Sequence, residues 1–147
     1  MAKQGFTYSE ILSFYYPGTE IRKNYGEKKE AEKMPSKAEK VTSYARSKVG
    51  CGYVYGASGQ MCTEAFINKQ AEQYPDYVDP SVVNKWIGKE VFDCAGFVRK
   101  CIAQAGIAMV SGATSQWNKT NWMQKGEIAT LPKDKVCCLY RYRDGRM

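Results

Sequence analysis

A chain of 147 residues with 44% apolar and 25% charged side chains can build one domain with its own core, plus a short extension. Its net charge of +7 gathers at the two ends: ten Lys/Arg face six Asp/Glu in residues 1–50, and five face two in residues 133–147. Such ends attract anionic polymers or are simply solvated, and no predicted element stripes Lys with aromatics, so no nucleic-acid partner is expected. No run of about 18 apolar residues exists to span a membrane, and the first residues lack the pattern of a signal peptide, so no export leader is expected as the sequence stands and its location stays unassigned.

The first predicted element is a short helix. Thr7 and Glu10 make a capping box, Phe6 and Ile11 a hydrophobic staple, and Pro17-Gly18 ends it after Tyr15-Tyr16. Residues 22–35 are charged, poor in apolar side chains, and read as a linker. Ser36 with Glu39 caps a second helix, whose inner stripe is Val41, Tyr44, Ala45 and Val49 and whose stop is Gly50. Tyr53-Val54-Tyr55 then runs extended into the turn Gly56-Ala57-Ser58-Gly59.

Residues 60–90 are predicted to be helical. Thr63 and Asp79-Pro80 look like starts, and Tyr74-Pro75 and Gly88 like ends. Phe66, Ile67, Gln70, Ala71 and Tyr74 make one apolar face; Val82, Val83, Trp86 and Ile87 make another. This insertion either shapes a cleft or thickens the core.

The stretch from Val91 to Ile102 organises the rest. Two apolar residues lead into Asp93-Cys94, and Cys94, Phe97, Val98, Cys101, Ile102 and Ala105 recur at helical spacing before Gly106. Cys94 falls in the first turn, where free backbone N–H groups and the dipole favour a thiolate. A cysteine on an apolar helix face is otherwise simply core. Asp93 in front and the small Ala95-Gly96 behind favour the nucleophile reading. A loop holding Ser111-Gly112-Ala113-Thr114-Ser115 follows, then a short helix with Trp117 and Trp122. Residues 136–140 read as a strand, and Asp144-Gly145 as a hairpin turn.

The six cysteines include no Cys-x-x-Cys pair, and histidine is absent. A zinc site is poorly supported, no cofactor is implied, and mostly free thiols are expected.

Asp93-Cys94-Ala95-Gly96-Phe97-Val98 resembles the nucleophile motif of the NlpC family, papain-like cysteine peptidases that cut bacterial cell-wall peptides. Upstream, Gly50-Cys51-Gly52-Tyr53-Val54-Tyr55-Gly56 resembles the family's Gly-x-Pro-Tyr-x-Trp-Gly segment. Downstream, Ala113-Thr114-Ser115-Gln116 resembles its Arg-x-Ser-x-x-Gln loop, without the Arg. Leu131-Pro132-Lys133-Asp134 is similar to its Pro-Gly-Asp turn. The likeness covers residues 36–147, while residues 1–21 resemble the last segment of SpoIID-type domains.

The resemblance implies an α+β, papain-like fold, with N-terminal helices packed on a small antiparallel sheet and with its C-terminal strands incomplete. It implies cleavage of peptidoglycan stem peptides next to D-glutamate, with Cys94 attacking the carbonyl and Tyr53, Asp93 and Ser115 lining a pocket for the substrate amine. It gives no oligomeric state. In the family the base is a histidine on the strand after the hairpin. General acid–base help is worth about 100- to 10,000-fold, so the chain as it stands is expected to be inactive. The alternative is a wall-binding or adaptor module with a relic cysteine.

Overall fold

The computed structural model describes residues 34–143. The capped helix expected after Thr7, the SpoIID-like stretch at 1–21, most of the linker and the Asp144-Gly145 turn lie outside the described residues. The described part belongs, from Ser36 onward, to one compact unit.

Among the described residues the protein is α+β, with five α-helices and a three-stranded mixed sheet. Helix α1 (Lys37–Ser47) begins where its sequence says: the Ser36 hydroxyl accepts from the Glu39 N–H, and Glu39 accepts from the Ser36 N–H at 2.6 Å. It ends earlier than the stripe implied. Lys48 is its C-cap, so Val49 falls beyond the last turn and is 63% exposed, while Val41 is buried.

The sheet is built from very short strands: β1 (Gly52–Tyr53), β2 (Ser58–Met61) and β3 (Glu90–Phe92). Central β3 pairs in parallel with β1, Gly52 opposite Val91, and antiparallel with β2, Gln60 opposite Val91. The expected all-antiparallel sheet is therefore corrected to a mixed one, because β1 reaches β3 only after the whole 58–88 segment has intervened. Val91 and Phe92 are both fully buried, as a strand covered on both faces must be. The ladder bulges between Ser58 and Gln60, at Gly59, whose φ of +89° a glycine adopts without strain.

Residues 60–90 fold largely as predicted. Thr63 caps α2 (Glu64–Gln73) and Asp79 caps α3 (Pro80–Val83), which passes into a 3-10 turn at Asn84–Trp86. Ile67, Val78 and Val83 join Val54, Ala57, Cys62 and Val91 in the core, with Phe66, Ala71, Tyr74 and Trp86 packed against it. Val82 and Ile87 stay about half exposed, because α3 lasts only one turn and cannot carry a continuous apolar face.

Helix α4 (Cys94–Ala103) packs on β2 and α1, and α5 (Ala113–Lys119) packs on α4. Ser115 is therefore on a helix, not in a loop, and Trp122 lies beyond that helix. Residues 136–140 form no strand. Tyr140 turns inward instead and meets the edges of Trp117 and Trp122, at centroid distances of 5.8 and 5.7 Å. Among the described residues no helix is long and apolar enough to cross a membrane.

Candidate functional site

Sheet and helix meet at Asp93. β3 runs into it, the Asp93 N–H donates to the Ala57 carbonyl at 2.8 Å, and its carboxylate caps α4 by accepting from the Gly96 N–H at 2.5 Å. The second carboxylate oxygen accepts from the Gly56 N–H at 3.1 Å. One side chain thus fixes the helix start against the turn after β1. Gly96 is needed at this crossing, since a β-carbon there would run into the Ala57 carbonyl and come within 3.0 Å of Ser58 Cα.

This arrangement puts Cys94 at the first position of α4, exposed to solvent. The backbone N–H groups of Ala95 and Cys94 at the helix start act to pull its pKa down. They do not prevail. Loss of hydration to the surrounding atoms pushes the thiol up, the neighbouring Asp93 carboxylate adds to it, and the net shift is upward. The surroundings thus run against the dipole-lowered thiolate expected from sequence, holding the Cys94 sulfur toward its protonated form.

Tyr53, on β1, pairs with Phe92 of β3, two residues before Cys94. Its hydroxyl is pushed well above the usual tyrosine range by burial, then by the charges of Cys94, Asp93 and Tyr55. The structure so brings Tyr53, Asp93 and Cys94 together. Ser115 is half-buried on α5, and its hydroxyl makes no hydrogen bond to a described residue.

Its neighbour Gln116 is what reaches the helix of Cys94. Fully buried, Gln116 donates through Nε2 to the carbonyls of Ala95 (2.9 Å) and Val110 (3.0 Å). Its Oε1 accepts from the Tyr140 hydroxyl at 2.9 Å. Tyr140 in turn feels Cys138 and Cys94, and burial holds its hydroxyl far above the ordinary range. Sequence reading passed over Gln116 and Tyr140 as site residues. Gln116 follows Ser115 at an unspecified position of the downstream motif, whose own Gln position falls on Asn118, and nothing local marked Tyr140.

A cavity of about 250 Å³ opens beside the same helix, lined by Tyr55, Gly56, Ser58, Tyr74, Asp93 and Arg99 among others, but not by Cys94. The helical insertion thus contributes Tyr74 to a cavity wall. No cluster of three His, Cys, Asp or Glu suited to a metal occurs among the described residues. No family model, curated protein or solved structure matches the chain.

Proposed function

We propose that residues 36–147 form an NlpC-type, papain-like cysteine peptidase domain, with Cys94 as nucleophile and peptidoglycan stem peptides, cut next to D-glutamate, as substrate. One observation carries this reading. An exposed thiol stands at the first residue of a helix entered directly from the central strand, with the Asp93 carboxylate capping that helix immediately before it. Further support comes from the second motif, since Tyr53 pairs with Phe92 two residues before the thiol, and Gln116 holds the carbonyl of Ala95 next to it. Tyr53 and Asp93 are the groups proposed for the substrate amine, and Gln116 rather than Ser115 is the downstream residue that supports the site.

In the proposed reaction the Cys94 sulfur bonds to the peptide carbonyl carbon, the C–N bond breaks, and a thioester remains for water to hydrolyse. The thiol proton must leave and the departing amine must gain one. The 147 residues hold no histidine, and the Cys94 thiol is pushed up, so proton transfer is assigned to a group supplied from outside them. Alone, the chain should release no new amino groups from purified peptidoglycan above background. Release that disappears in Cys94→Ala would place the base within these residues.

The raised thiol favours the second reading, a wall-binding or adaptor module with a relic cysteine. Two assays separate them. Labelling by a thiol-reactive stem-peptide probe, lost in Cys94→Ala, supports the peptidase; unlabelled protein that still sediments with isolated wall supports the adaptor.

A further inference from the structure

We infer that the cavity beside α4 binds a small monocarboxylate, gripped by the Arg99 guanidinium. Asp93, Gly96 and Arg99 line it at intervals of three, which places them along one face of the helix. Between the two charged residues the Ala57 and Ser58 backbone packs against Gly96, which keeps the cavity wall there free of side chains. Arg99 is held in position by a 2.7 Å bond from Nη2 to the Ser58 hydroxyl. Among the described residues this is its only side-chain hydrogen-bond partner. A guanidinium carries five N–H donors in a planar fork matched to a carboxylate, and most of these remain for a ligand.

The rest of the lining narrows the ligand. Ser58 accepts from Arg99 and so keeps its own hydroxyl proton to donate, and Ser111 adds a second hydroxyl. Tyr55 forms an aromatic wall, stacked on Tyr77 at 4.6 Å and edge-on to Tyr74 at 5.0 Å. Asp93, six residues before Arg99, lines the same cavity. Its negative charge disfavours a second carboxylate or a phosphate dianion at that end. A volume of about 250 Å³ falls below the ~300–1,000 Å³ of drug-sized sites, which suits one or two amino-acid units. The cavity adjoins the proposed peptidase site through Asp93, which belongs to both, while Cys94 does not line it.

The test is a titration of the full chain with N-acetylalanine, which has one carboxylate and no amine, against N-acetylalaninamide, its neutral counterpart. Binding is followed by NMR shifts of the Arg99 side chain and of the Gly56 and Gly112 amides. The acid should move these signals and the amide should not. Arg99→Gln should weaken binding about tenfold or more, in line with a lost charge-assisted bond. Arg99→Lys should weaken it less. Ser58→Ala, which keeps the guanidinium but frees its anchor, guards against a folding defect in the Arg99 variants and should also weaken binding. Lys100→Gln and Cys94→Ala should bind like the parent. Equal binding of acid and amide, unchanged affinity in Arg99→Gln, tighter binding of inorganic phosphate than of the acid, or no shifts with either probe would each overturn the assignment.

Discussion

Gln116→Leu should cost about 2–3 kcal/mol of stability. The parent side chain is fully buried and makes three hydrogen bonds, at 2.9 and 3.0 Å to the Ala95 and Val110 carbonyls and at 2.9 Å from Tyr140. Each is worth about 1 kcal/mol net, so their loss gives about 3 kcal/mol. The Ala95 carbonyl keeps its place in the α4 ladder, which trims its share, and leucine fills most of the volume, so the cavity term is small. Urea unfolding at fixed pH measures the difference, and the Tm should fall by roughly 10 °C for a domain of this size. Tyr140→Phe, which leaves Gln116 Oε1 buried with no donor, should cost about 1–2 kcal/mol. The double variant should show about 1 kcal/mol of coupling between the pair. A Gln116→Leu loss below about 0.5 kcal/mol, the size of an ordinary surface change, would refute the view that this residue ties α5 and Tyr140 to the helix of Cys94.

Gly96→Ala should lower stability by about 1–3 kcal/mol, because its methyl group meets the Ala57 carbonyl and α4 must shift off the β2 backbone; an unchanged urea midpoint would contradict that contact. Cys101 gives a pH signature. Burial, with help from Cys138, pushes its thiol from an ordinary 9.0 up to about 12. Since the folded value lies above the unfolded one, its contribution is whole below pH 9 and is lost as pH rises toward 12. Urea midpoints measured across that window should fall, and fall less in Cys101→Ala. Identical slopes in the two proteins would rule Cys101 out as the cause.

What could be read from the sequence was local. Ser36 with Glu39, Thr63, Asp79-Pro80 and Asp93 each carry their capping chemistry within three residues, and each caps a helix in the fold. The strands were harder, since two to four residues give almost no alternation to detect and their pairing joins positions about 30 to 40 apart in sequence. Residues 136–140 failed for the opposite reason. Val-Cys-Cys-Leu-Tyr has strong β character, but Tyr140 gains two tryptophan edges and a buried hydrogen bond by turning inward. The thiol of Cys94 shows the same limit at the site. The helix start was legible, yet the local dipole was outweighed by burial and by the Asp93 charge that creates that start.

The nucleophile assignment is tested most directly by acylation with a leaving group that needs no proton. A p-nitrophenyl ester of a stem-peptide fragment releases nitrophenolate on attack, so the thiolate fraction of Cys94, which grows as pH rises, suffices without a general acid. The account predicts a burst of one nitrophenolate per chain and a matching mass increase on the peptide containing Cys94, both absent in Cys94→Ala. A burst of equal size in Cys94→Ala, or acyl groups found on Cys51, Cys137 or Cys138 instead, would contradict it.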